Sequence, residues 1–202
     1  MDTGATQAVE STQSAAKLRI FLSYSRKDES FIGKLADALT ARGYLPDFDR
    51  SPHEKDNVTT GISAEDDWWK RLREMIEVAD VMVFAVSPDS AASSVCDEEI
   101  AYARSLSKRV IAVLHRPIDF ASAPPRLAAL NVKIRLSEDE AFATGIDELC
   151  HALDRDVAWL REQTRLLVAA TDWDQSGKRE EEMLRGAEIS EAEAWSARRP
   201  AS

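Results

Sequence analysis

Alternation constrains this chain more than any other feature: apolar runs of strand length are followed, repeatedly, by stretches whose apolar residues recur at helical spacing. LRIFLSY precedes FIGKLADALTARG, in which Phe31, Leu35, Ala38 and Leu39 share a face and Gly43 is placed to stop the helix, and YLPDF follows. WWKRLREMIEVA, with Trp68, Leu72, Met75, Ile76 and Ala79 in register, then leads into DVMVFAV, a helix after Cys96, the run RVIAVL and finally NVKIRL. Strand and helix in repetition predict a parallel sheet covered on both faces. VMVFAV is apolar on both faces and so central, whereas Pro46 cannot donate to a central ladder and NVKIRL keeps Lys133 and Arg135 on a wet face. Placing strands 2 and 5 at the edges gives a flavodoxin-like five-stranded parallel sheet of order 2-1-3-4-5, in which ligands collect at the carboxyl ends of the strands. The loops SYSRKD, FDRSPHEKDNVTTGISAEDD and SPDSAASSV all emerge there.

The ends differ in character from this α/β core. Residues 1–16 are rich in Ala, Ser, Thr and Gln without periodicity and read as a disordered lead-in to a domain spanning 17–153. Beyond it, Ile146, Leu149, Cys150, Leu153, Val157, Leu160, Thr164 and Leu167 follow one stripe, expected as a single long helix, and a second helix is expected from Arg179 to Trp195. Residues 154–202 are thus read as an α-helical hairpin or linker, expected to lead to a further domain. No apolar run approaches the ~20 residues of a membrane span, and the start has neither the basic nor the apolar part of an export signal. A cytoplasmic location with no membrane partner is the expectation. Cys96 and Cys150 are too few for a disulfide framework and are expected as free thiols in a reducing compartment. A net charge of −10 with basic residues only in short runs argues against nucleic acid.

Several chemistries can be set aside. There is no GxGxxG or Walker loop to grip a dinucleotide by a glycine-rich turn, and His53, His115 and His151 lack metal-ligand spacing. Cys96 has no histidine near it in sequence and reads as a small packed residue. A phosphorelay receiver would need an acidic pair after strand 1 and an aspartate ending strand 3; those places read FLSYSRKD and FAVSPDS. In DWDQSGKREEEM, Asp172, Asp174, Ser176 and Gly177 match the start of a calcium loop, but Met183 stands where a bidentate glutamate is required.

Taken together, LRIFLSYSRKDESFIGKLADAL, FDR and WWKRLREMIEVADVMVFAVSPDSAASSVCDEEIAYA resemble a bacterial TIR (Toll/interleukin-1 receptor) domain over roughly Leu18 to Leu153. FLSYSRKD, a helix-starting Trp, ADVMVFAVSPDS and the C-x-x-E of Cys96 to Glu99 occur in the family's order and on the matching elements. The resemblance implies the flavodoxin-like sheet and two alternative functions. Many bacterial and plant members cleave NAD+ at the nicotinamide–ribose bond, whereas many animal members are non-catalytic interaction adaptors. It implies that Glu99 is the catalytic carboxylate, that Tyr24, Ser25 and Arg26 border the substrate with Arg26 near phosphate, and that Phe48 and Trp68 contact its rings. NAD+ is then a substrate, no cofactor is needed, and self-association through TIR–TIR contacts completes the active sites.

Helix geometry singles out the same carboxylate. With about 100° per residue, Cys96, Ile100, Ala103 and Ser107 define an inward stripe, Glu99 lies about 60° from its centre, and Asp97 and Glu98 lie further toward solvent. Those two acids suit the first turn of a helix, where anions are favoured. Two departures from the family pattern stand out: Val95 occupies the place, four residues before the glutamate, where many catalytic relatives carry Trp, and the loop from Asp49 to Asp67 is longer than in most.

Because the hairpin's stripe is apolar and its loop lacks the twelfth-position ligand, calcium titration is expected to leave the melting temperature unchanged. Saturable stabilisation by micromolar calcium would overturn that reading.

Overall fold

A computed structural model describes residues 18–50, 62–121, 123–131, 134–137 and 139–199. The expected disordered lead-in, His53 and Lys133, and most of the loop between Asp49 and Asp67 lie outside these residues.

Strand β1 (Arg19–Ser23) leads through a single 3-10 turn at Arg26–Asp28 into helix α1 (Glu29–Thr40), then β2 (Leu45–Asp47), α2 (Ile62–Val78) and β3 (Val81–Val86). The short α3 (Pro88–Ala91) and α4 (Ser94–Ser105) precede β4 (Arg109–Leu114); α5 (Pro125–Ala128), β5 (Ile134–Arg135) and α6 (Asp139–Leu153) complete the alternation. The sheet is parallel throughout, in the order β2-β1-β3-β4-β5 predicted from the hydrophobic pattern. Every residue of β3 is buried, as an apolar run covered on both faces must be. Pro46 sits on edge strand β2 opposite Ile20, where its missing N–H costs no central ladder bond. At the other edge Arg135 is exposed and Ile134 buried, the alternation expected there.

Two cores flank the sheet. Leu18, Ile20 and Leu22 face α1 and α6, packing with Leu35, Leu39, Ile146 and Leu149, while Phe21, Met82 and Phe84 face α2 and α4, packing with Leu72, Ile76 and Ile100. This i, i+2 division of β1 puts Ser23 on the Phe21 side, the side that α4 covers. Helix α1 stops at Thr40, three residues short of the predicted Gly43, which ends the following turn with a φ of 83°, a left-handed conformation that costs glycine little.

The stripe after residue 140 differs from expectation. It is broken into α6 and α7 (Val157–Gln175), with Asp156 in the left-handed region at φ 58°. Tertiary bonds hold this break: the Tyr44 hydroxyl donates to Asp154 at 2.6 Å, and Arg109 donates to the Arg155 carbonyl and the Asp156 carboxylate, each at 2.9 Å. Periodicity alone misses it because the second helix re-enters in the same phase, with Leu160 buried in the same core as Leu149. The final helix α8 (Ala187–Ala197) is shorter than expected and is preceded by a 3-10 turn at Glu180–Glu182. Trp159 and Trp195 stack at 4.8 Å, and each indole N–H donates to the other's backbone carbonyl. None of the described helices is long and apolar enough to cross a membrane.

Lys108 is one of several buried polar residues near the amino ends of the strands. It is buried, and its ammonium donates to the Glu77 carbonyl at 2.8 Å, the Ala79 carbonyl at 2.6 Å and the Thr164 hydroxyl at 3.2 Å. A cation there satisfies carbonyls left open by the end of α2 and complements the helix dipole. Burial lowers its pKa to about 8.

Helix α6 approaches β5 over Gly145, where an added Cβ would lie 2.2 Å from the Arg135 carbonyl oxygen. Gly145→Ala should therefore destabilise the protein by about 1–3 kcal/mol in urea unfolding, despite the ~1 kcal/mol that alanine gains in a free helix. Equal or greater stability would show that α6 can shift at no cost.

Candidate functional site

The loops after β1 and β2, the side of α2 and the first turn of α4 meet at the carboxyl end of the sheet. Helix α4 begins where Ser93 accepts a bond from the Cys96 N–H at 3.3 Å, and this fixed start turns Cys96, Glu99, Ile100 and Ala103 inward. Asp97 is half-buried and pairs with Arg126, and Glu98 is exposed. Among the three adjacent acids, only Glu99 is buried, at 6% exposure.

The Glu99 carboxyl accepts a short hydrogen bond from the Ser23 hydroxyl. Burial pushes its pKa up to about 8; the Ser23 bond and nearby Arg26 work against that rise, and Asp49 adds to it. A helix N-terminus favours the anion, but desolvation of a carboxylate outweighs it here. Glu99 thus holds a proton over much of the neutral range and can be ionised by a cation brought beside it. Cys96, one turn earlier, donates its thiol to the Tyr24 carbonyl at 3.4 Å; burial, with Glu99 nearby, raises its pKa to about 12. It is a packed thiol.

Asp49 is the centre of the neighbouring cluster. Its carboxylate accepts from Arg26 at 2.8 Å, from the Trp68 indole at 2.7 Å and from Arg71 at 3.2 Å, and its backbone carbonyl accepts from the Tyr24 hydroxyl at 3.0 Å. Tyr24 meets the Phe48 ring edge-on at 5.8 Å, and the Arg50 guanidinium lies 4.5 Å from the Phe48 ring centre. Tyr24, Arg26, Phe48 and Trp68 are thereby drawn together. Trp68 does two things at once, packing partly against the α2–α4 core while its N–H reaches Asp49. Ser25 stands at the start of the 3-10 turn, where its carbonyl accepts from the Asp28 N–H at 2.7 Å; its side chain makes no capping bond.

Sequence reasoning passed over Ser23, Asp49 and Arg71. Ser23 could have been found by combining strand parity with the helix stripe, since both point to the layer between β1 and α4. Asp49 lay in the quoted FDR, but nothing in a linear pattern marks one aspartate as the meeting point of three elements.

A second polar knot ties the loops after β1, β3 and β4. Asp28, 3% exposed, accepts from the Ser87 hydroxyl at 2.5 Å and from Arg116 at 2.6 and 3.1 Å. Arg116 also donates to Asp89 at 2.5 Å, and Lys27 to the same carboxylate at 2.6 Å. These bonds, that of Lys27 foremost, hold the Asp89 carboxyl below its ordinary pKa. His115 stacks on Phe31 at 3.8 Å and lies 3.5 Å from Asp28. Among the described residues, no His, Cys, Asp and Glu side chains group as a metal site.

Solved structures of similar fold include the TIR domain of the Toll-related receptor TRR-2 from Hydra magnipapillata (18% identical, covering 66% of this chain and 96% of that chain, TM-score 0.47). Others are the CMP N-glycosidase BcmB of Clostridium botulinum (19% identical, 64% and 98% covered, TM-score 0.45) and the TIR domains of the activated Roq1 resistosome (21% identical, 75% and 83% covered, TM-score 0.38). No curated protein sequence matches the chain. Residues 20–150, well over half of the chain, match the family described as TIR domain. With its C-x-x-E glutamate buried at the carboxyl end of a 2-1-3-4-5 sheet, the chain belongs to the TIR domain family.

Proposed function

We propose that this TIR domain is an NAD+ glycohydrolase of a bacterial immune or signalling protein, working in the cytoplasm and activated by self-association. The observation that carries the reading is Glu99: a buried carboxyl at the carboxyl end of the sheet, bonded to Ser23, in no ion pair among the described residues, and neighboured by Tyr24 and Arg26. The reaction needs only one such group. The C1′–N bond breaks with its electron pair passing to the pyridinium nitrogen, so nicotinamide leaves neutral and no general acid is required, unlike ordinary glycoside hydrolysis. Positive charge is left on the ribose. A carboxylate held against it in a partly dry cleft stabilises that charge more strongly than in water. Water then adds to C1′ and gives up a proton to bulk solvent.

The other residues take supporting roles in this reading. Arg26 exchanges Asp49 for substrate phosphate, and Phe48 and Trp68 contact the rings, with Tyr24 and Ser25 bordering the pocket. The cationic pyridinium itself favours ionisation of Glu99 as it binds. A neighbouring protomer completes the site through contacts between TIR domains.

Glu99→Gln keeps the shape and removes the charge, and should lower nicotinamide release by ~10²–10³-fold, as loss of one preorganised electrostatic group does. Stability should move the other way. The folded pKa of about 8 lies above the ordinary 4.5, so the native state holds its proton more tightly and wild-type stability falls as pH rises between those values. The Gln variant lacks that fall and should melt above the wild type at pH 8, with a smaller difference near pH 5. A variant that cleaves NAD+ at the wild-type rate would remove Glu99 from catalysis.

Since the ionised form acts, kcat/KM should climb with pH and level off above about 8. A flat profile from pH 6 to 9 would contradict it.

Turnover per protomer should rise with protein concentration, and deletion of His53 to Thr60 should abolish assembly and turnover together. Constant turnover over about a thousandfold dilution would exclude composite sites. Should concentrated, assembled protein release no nicotinamide, the non-catalytic interaction module takes over; Leu45, 52% exposed on edge strand β2, is the feature favouring it.

A further inference from the structure

A cavity of about 730 Å³ opens near the amino end of β4, beside the turn between α6 and α7, and it shares no lining residue with the Glu99 site. Its size falls in the range of pockets that hold small molecules. Gln163 forms part of its buried wall at 7% exposure. The side-chain amide donates to the Ser107 carbonyl at 2.8 Å, but its carbonyl oxygen Oε1 is buried and accepts from nothing among the described residues. A buried acceptor left without a donor costs about 1–3 kcal/mol, so a modest turn of this side chain toward the cavity it lines would let the oxygen take an O–H or N–H from a molecule there.

Charge points to the remainder of that molecule. The chain carries a net charge of −10, yet Lys108, Arg109, Arg155 and Arg199 line this cavity against only Glu148 and Asp156. Asp156 is already paired with Arg109 at 2.9 Å, and Lys108 is engaged with backbone carbonyls. Arg155 and Arg199 make no ion pair among the described residues, and both are exposed enough to turn toward a ligand. The stacked pair Trp159–Trp195, with its reciprocal indole bonds, holds α8 beside the opening, brings Arg199 to the rim and supplies an aromatic wall.

We propose that this cavity is a second ligand site, binding a small phosphorylated sugar or nucleoside: its phosphate lies between Arg155 and Arg199, and one of its hydroxyls donates to Gln163 Oε1 once that side chain turns toward it. The inference stands apart from NAD+ cleavage, since a non-catalytic TIR module would bind the same ligand there.

The full chain would be titrated with ribose 5-phosphate, AMP and inorganic phosphate, following heat release and melting temperature. Saturable binding of ribose 5-phosphate or AMP is expected, at least about tenfold tighter than inorganic phosphate. Arg155→Gln combined with Arg199→Gln should weaken it at least about tenfold while the ligand-free melting temperature stays near wild type, because both side chains are exposed. Gln163→Glu, which retains the acceptor and adds a like charge, should weaken it too; Arg26→Gln and Glu99→Gln should leave it intact. The proposal is overturned if none of the three probes binds by about 10 mM, if binding survives the double arginine variant, if it is lost in Arg26→Gln, or if inorganic phosphate binds as tightly as the sugar phosphate.

Discussion

The constraint on which the rest depends is that β3 is apolar on both faces. A strand of that kind cannot border water, so helices must lie above and below it, and parallel crossovers are the short way to put them there. Once α1 and α6 cover one face and α2 and α4 the other, the loops after β1 and β3 issue from the same end of the sheet. The site is a product of that crowding. Glu99 comes from α4 and Ser23 from β1, distant in sequence, and they touch because α4 closes the face on which Ser23 stands.

Asp28, Lys108 and Glu99 are buried with different solutions to the cost of desolvation. Asp28 is paired with Arg116 and accepts from Ser87. Lys108 is surrounded by carbonyl oxygens that satisfy its donors, though burial still lowers its pKa. Glu99 has one hydroxyl donor and no direct cation, so its burial raises the carboxyl pKa. The first two arrangements brace loops and a helix end. The third leaves a carboxyl whose preferred state changes when a positive charge arrives, which is the property expected of a functional group rather than of a brace.

Asp49 makes the same point from the opposite side. It gathers Arg26, Trp68 and Arg71 from two other elements and takes the Tyr24 hydroxyl on its backbone, so the loop after β2 is clasped to the sheet at its first residues. Any anion that draws Arg26 away must compete with this carboxylate. The cluster therefore ties phosphate binding, in the proposed function, to the position of α2 and of the loop that follows Asp49.

Composition and periodicity by themselves determined the sheet order, the central and edge strands, the presence and inward face of α1, and which of three adjacent acids faces inward. Each of these is a local consequence of period 2 or 3.6, of proline geometry, or of a capping residue, and such consequences are written in neighbouring residues. The resemblance of FLSYS, FDR and C-x-x-E added which residues to watch, and Tyr24, Arg26, Phe48 and Trp68 do converge. Only the tertiary structure decided the break at Asp156, because the two helices share one hydrophobic phase and the turn is held by Tyr44 and Arg109 from far along the chain. It alone decided that Asp49 would be the hub, and that Gln163 would be left, among the described residues, with an unanswered carbonyl. Hydrogen bonds and desolvation act between groups brought together from distant places, and a linear pattern carries no record of which places those will be.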